Sequence, residues 1–477
     1  MPHLLLVGVP IGAATLVFLL RRLRAGAVLA VLTVLFLAWL AVQLPPGVVL
    51  NLLGRTIELD SLSKVMLALL FGSTALLFVI LIFLTAAQPT QRRALTYLRQ
   101  TGQQGRFFYP AALIILGLFV AASMSRHLGI TAILIELAAI LMVFVIQTER
   151  LESTRASLRF IILVSLAAPL FLLAARDIDD YQLSGTIVTP ENLEQIALFV
   201  GLGFAIWLAV IPFHSWMTNT AAESVPVTAA FVLIAFPIVA VSTLMHLLAD
   251  LPWLVDSQYL VGAIIIAGVT TAFAGGVLAA IQRGFSEMLG YAALFNMGCI
   301  ITVLGLGGPA AVVTVLVGLT VRALALILIA ASLSTLNIGS ASVGFSWVRG
   351  AAYTMPVATV GLIVGGLTLA GAPFTAGFPP FWQAIRPLAE VDIRGTIFLL
   401  AGALGTTAGF LRGLRALLKP PAQPVRSNGL NLRFEEPYAI LVIIAMLTVI
   451  TIALGVFPWL VIEPLQLFAG HVAFPIK

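Results

Sequence analysis

Apolar runs of about 20 residues recur along almost the whole chain, separated by short polar or basic stretches. A run of that length, coiled as a helix, matches the hydrocarbon thickness of a bilayer. Runs begin near Leu4, Ala27, Lys64, Phe108, Leu128, Ser157, Ile196, Pro226, Leu260, Glu287, Ala310, Met355, Arg394 and Pro437. The pattern predicts an all-α polytopic membrane protein with about 14 transmembrane helices. The longest polar stretches, 87–107, 176–195 and 412–436, leave no room for a soluble domain. Residues 1–477 therefore read as a single membrane domain. The first run is not a cleavable leader, because Arg21, Arg22 and Arg24 follow it instead of preceding it. That order puts the N-terminus outside.

Composition narrows the classes further. Of 477 residues, 61% are hydrophobic and 9% charged. Soluble domains carry roughly 25% charged residues, so a soluble enzyme, a disordered chain and a nucleic-acid-binding protein are excluded. The net charge of +6 reflects basic loops on one side of a membrane. Segments expected inside hold 17 Lys and Arg, those expected outside hold 7, and Arg322 lies within a span. This split obeys the positive-inside rule and places both termini outside. The single Cys299 and five scattered histidines (His3, His127, His214, His246, His471) predict no metal site and no cofactor in this chain.

Residues that do not belong in lipid are the first functional candidates. Glu136 sits in the middle of ITAILIELAAILMVFVI and Arg322 in VLVGLTVRALALILIAAS. A buried Glu136 would be a reversible proton carrier, or a structural carboxylate paired with a cation or backbone. Arg322 stays charged, so it can only hold water, pair or bias a neighbour. Glu287 opens a helix, where a carboxylate favours the positive end of the dipole. His214 is either a shuttle or a loop and cap residue, and His246 completes the proton-path candidates.

Two spans are interrupted. In 207-WLAVIPFHSWMTNTAAESVPVTAA-230, Pro212 and Pro226 bracket polar residues. In 370-AGAPFTAGFPPFWQAIR-386, Pro373, Gly377, Pro379 and Pro380 repeat the device. Paired interruptions about five spans apart mark an ion pathway in a transporter built from repeats.

The segment PFHSWMTNTAAESVPVTAA resembles the PFHxW…PxPVSA signature of the antiporter-like subunits of respiratory complex I, a family shared with Mrp antiporters and membrane-bound hydrogenases. ELDSLSKVML, IELAAILMVFVI, RGFSEMLGYAALFNMG and LTLAGAPFTAGFPPF resemble further motifs of that family, in order. The resemblance implies two inverted five-helix repeats, each with a broken helix, within 55–216 and 196–390, followed by C-terminal helices over 391–477. It also implies a central line of Lys, Glu and His. Glu136 matches the family glutamate. The lysine expected five residues before the Pro of PFH is Trp207, that of the eighth span is Phe236, and the ionisable residue of the second broken span is Phe381. Only one central lysine keeps a cationic replacement, Arg322.

The resemblance implies an antiporter-like membrane subunit of a complex-I-type or hydrogenase-type complex, taking part in or scaffolding proton translocation. Its partners would be other membrane subunits and the lipid bilayer, in a bacterial-type inner membrane. Two alternatives stay open: a non-redox assembly (an Mrp-type antiporter or an inorganic-carbon uptake system), or a non-conducting structural subunit.

Overall fold

The computed structural model describes residues 2–52, 55–86, 92–147, 151–184, 190–255, 258–336, 344–345, 348–420 and 438–469, with the side chains of 92–106 and of a few residues at segment ends, Arg55 among them, outside that description. Of the basic residues counted above, Arg150, Arg426, Arg433 and Lys477 also lie outside it, as does His471.

The chain opens with α1 (Pro2–Leu19) and α2 (Arg24–Gln43), then an antiparallel hairpin of β1 (Val48–Leu52) and β2 (Arg55–Leu59). There follow α3 (Ser61–Ala86), α4 (Arg92–Met124), α5 (Leu128–Ile146), α6 (Leu151–Ser184), α7 (Pro190–Trp207), α8 (Ser215–Glu223) and α9 (Pro226–Asp250). The short α10 (Pro252–Val255) leads to α11 (Gln258–Ile281), α12 (Phe285–Leu306) and α13 (Pro309–Thr335). After α14 (Ala351–Thr354) come α15 (Pro356–Leu369), α16 (Phe378–Val391), α17 (Ile393–Leu418), α18 (Tyr438–Val456) and α19 (Trp459–Ala469). One order recurs: three continuous helices, a broken one, a continuous one. It is α4, α5, α6, α7/α8, α9 and then α11, α12, α13, α15/α16, α17.

Among the described residues, eleven helices are long and apolar enough to cross a membrane, and three shorter apolar ones cover His3–Leu19, Leu193–Trp207 and Pro356–Leu369. Eleven is fewer than the expected 14 or so, and two of the three shorter helices are the first halves of the broken helices. Helices are the answer to a solvent without hydrogen bonds, since each satisfies its backbone internally. Hydroxyls are accommodated the same way: Thr74, Thr220, Thr302 and Thr406 each donate to the carbonyl four residues earlier.

Two of the polar stretches are helical in part. The stretches 87–107 and 176–195 are not plain loops: residues 92–107 are the first half of α4, and 176–184 continue α6. Their Gln, Arg and Leu are good helix formers, so the helix runs on past the apolar segment.

α9 is the central post. Every residue from Pro226 to Leu248 is buried, as expected of a helix that is apolar all round. It packs against α3, α4, α5, α8 and α13. Lipid-type faces lie on the periphery, with Leu32 and Leu35 of α2, Ile133, Leu137 and Phe144 of α5, and Val442 and Val449 of α18 exposed. The tightest seam joins α11 to α17, where a Cβ on Gly276 would lie 2.0 Å from the Gly402 carbonyl oxygen. Small residues let membrane helices approach backbone to backbone.

Candidate functional site

The first break begins where α7 ends at Trp207. Ala209 takes a positive φ of 57° and the Ile211–Pro212 peptide is cis. Polar groups freed by the break are caught from elsewhere: Trp216 Nε1 donates to the Ile206 carbonyl at 2.9 Å, and Ile211 N–H donates to Thr271 Oγ1 of α11 at 3.3 Å. Pro226, expected as part of this break, is instead the first residue of α9, a position where its missing N–H costs nothing. The second break repeats the first. Gly371 and Phe374 take positive φ of 70° and 64°, and Ala376 N–H donates to the Thr451 carbonyl of α18 at 3.0 Å. Pro373 lies in the break, and Pro379 and Pro380 open α16. Gly377 has no alternative, because a Cβ there would lie 1.8 Å from the Thr368 carbonyl oxygen.

Trp207 and Phe236 stand 6.1 Å apart, ring to ring, inside one aromatic cluster. Phe171 packs on Trp207 at 4.2 Å, and Trp216 and Phe160 reach Phe236 at 5.4 and 5.7 Å. Phe119 and Phe204 complete it. These seven rings come from α4, α6, α7, α8 and α9, and none is more than 4% exposed. Most meet edge to face, the arrangement the ring quadrupoles favour. Trp207 Nε1 is buried with no partner among the described residues. In the second half Phe381 meets Phe295 at 5.9 Å.

Glu136 departs from expectation. It is half-buried on α5, beside the lipid-type face of Ile133, Leu137 and Ile140. Its partner is a short hydrogen bond from Ser165 of α6. With Trp207 in place of a lysine, a neutral hydroxyl serves the carboxylate, and no cation lies within ion-pair distance among the described residues.

Arg322 is 1% exposed on α13. Its Nη1 donates to the Ala293 carbonyl at 2.6 Å and to Asn296 Oδ1 at 3.3 Å, and its Nε to the Leu233 carbonyl at 3.3 Å. Nη2 faces Met217 Sδ at 3.7 Å. The guanidinium thus ties α8, α9, α12 and α13 together with neutral acceptors alone, and no carboxylate pairs with it among the described residues.

His214 is half-buried in the first break, with Nδ1 on the Pro212 carbonyl at 3.2 Å and Tyr291 beside its ring. Glu287 lies in the first turn of α12, half-buried. Among the described residues neither touches Glu136 or Arg322, so the structure does not join the five candidates into one line.

His246 belongs to a separate charged cluster at the hairpin end. Its Nε2 donates to Asp60 Oδ2 at 3.0 Å and lies 3.3 Å from Ser63 Oγ. Arg126 bridges Asp60 (3.4 Å), Glu58 (3.3 Å) and Asp250 (3.6 Å). Burial would raise the Asp60 carboxyl, but the hydrogen bond and charge of His246 and the bonds from Ser63 overcome it. The carboxyl titrates below its usual range. Next to it His127 caps α5, its Nδ1 accepting from Ile130 N–H, while Nε2 donates to Asp179 at 2.9 Å. Sequence reasoning passed over Arg126, Glu58 and Asp250. The only signal was the acid-rich ELD that ends the hairpin.

Known proteins match this chain broadly. The family model for the NADH:quinone oxidoreductase/Mrp antiporter transmembrane region matches residues 125–407. NADH-quinone oxidoreductase subunit N of Rhodopseudomonas palustris (strain BisA53) is 30% identical over 344 residues, 69% of this chain and 71% of that protein. The same subunit of Chromohalobacter salexigens is 28% identical over 225 residues, 46% of this chain, and the chain spans about half of that relative's length (45%). A chain of respiratory complex I from Thermus thermophilus with bound NADH superposes with a TM-score of 0.76 at 20% identity, covering 100% of both chains. That match shows a shared fold. With more than half of its length matched, the chain belongs to the NADH:quinone oxidoreductase/Mrp antiporter transmembrane family.

Proposed function

We propose that this chain is an antiporter-like membrane subunit of a complex-I-type redox complex, and that it scaffolds and couples proton translocation carried by neighbouring subunits. It would span the bacterial inner membrane many times, with both termini outside and other membrane subunits as partners. One observation carries the reading: Trp207 and Phe236, which stand where the family places lysines, touch each other inside a buried aromatic cluster. Protons cross apolar protein only along water or titratable groups, and seven packed rings offer neither. Glu136, Arg322, His214, His246 and Glu287 then serve local roles and not steps of one relay.

The test is a gentle-detergent pull-down of the tagged chain with identification of every co-purifying protein, followed by proton-translocation assays on that complex. Iron–sulfur, flavin or nickel–iron subunits are expected. Antiporter subunits alone, or one soluble zinc protein, would move the chain to an ion-driven assembly. In the purified complex Glu136→Gln should leave assembly and the proton-to-electron ratio unchanged. A fall in that ratio with assembly intact would restore Glu136 to a relay.

A further inference from the structure

The second break borders a small, half-open cavity, about 20 Å³ of space for a water-sized centre, between α12, α13 and the α15–α16 turn. One water needs about 10–15 Å³ on that measure, so the cavity holds a single water-sized occupant. Its wall includes Asn296, Cys299, Thr314, Gly371, Gly377 and Phe381, with no carboxylate and no lysine among the lining residues.

Two features give the cavity a sign. Arg322 has no acceptor of its own, so Asn296 must present its amide oxygen to the guanidinium. The Asn296 NH₂ is therefore turned the other way. Asn296 is 9% exposed, lines the cavity and donates to nothing among the described residues. The second feature is the start of α16. Gly377 N–H has no acceptor among the described residues, Pro379 and Pro380 supply no N–H, and the helix dipole puts its positive end at the cavity. Thr314 spends its hydroxyl proton on the Ala310 carbonyl, and the Cys299 thiol adds a weak donor. Behind Asn296 stands a guanidinium whose four partners are all neutral. A buried cation without a counter-ion is costly.

We infer that this cavity binds one monovalent anion of halide size, held by the Asn296 amide and the Gly377 N–H, as the missing counter-charge of Arg322. The site needs no movement of protons, so it stands independently of the subunit role proposed above.

The experiment uses the full-length chain in detergent. Thermal unfolding is followed in sodium chloride, sodium bromide and sodium gluconate at equal ionic strength. Both halides should raise the melting temperature saturably, by about 2 °C or more over gluconate. Asn296→Leu, which keeps the volume and loses the donor, should melt at the same temperature in all three salts. Arg322→Gln, if it folds, should weaken the halide effect. Bromide anomalous scattering should place one ion between Asn296 and Gly377. Equal melting of the unmodified chain in chloride and gluconate, a halide effect that survives Asn296→Leu, or water alone at the site would each overturn the assignment.

Discussion

Trp207 and Phe236, at positions where the family resemblance places lysines, act as packing. Each is about 1% exposed and ringed by aromatic neighbours, so truncation removes both transfer energy and a filled volume. Trp207→Ala or Phe236→Ala should cost about 3–5 kcal/mol, read as a lower midpoint in detergent-phase unfolding. Trp207→Lys should be worse, because an ammonium would be buried against Phe171 and Phe204 with no counter-charge. Ser165→Ala should cost about 1 kcal/mol, since Glu136 is only half-buried and water or a neighbouring subunit can replace the hydroxyl. Sequence alone placed Trp207, Phe236 and Phe381 at telling positions. It did not show that the first two touch, since 29 residues and a break separate them. It also overstated the burial of Glu136: hydropathy marks a helix as membrane-spanning without saying which side meets protein.

At the level of elements, the two breaks share one construction: a positive φ on a non-glycine residue, and a backbone N–H pinned to a threonine of a distant helix. Proline and glycine punctuation made both breaks legible, although Pro226 is a helix start. What the punctuation could not reveal is the closeness of the two halves, which Gly377 and Gly371 permit. Gly377→Ala should therefore sharply lower the folded yield on size-exclusion chromatography, since its Cβ meets backbone and not a flexible side chain. Gly276→Leu should likewise force α11 from α17. Both predictions fail if the variants keep the parental elution profile and melting temperature.

Across the whole molecule, the hairpin end is joined electrostatically and the middle by aromatic packing. Asp60, Arg126, Asp250 and His246 tie the starts of α3 and α5 to the end of α9. With its folded-state carboxyl titrating below the ordinary value, Asp60 contributes stability that is fully present above about pH 4 and lost as the pH falls further. The melting temperature should drop on acidification below that point, and Asp60→Asn should flatten the drop while lowering the plateau. None of this cluster was legible as a unit, because its members lie on three separate segments and, His246 apart, each looks like an ordinary surface charge. The aromatic centre carries a consequence for how such a chain can change over generations. Trp207 and Phe236 pack against each other, so a lysine placed at either position alone meets rings where it needs water and a carboxylate. Each single lysine substitution should therefore lower stability. A lysine at either position would need the facing ring replaced in the same step, so the two positions are expected to change together or not at all.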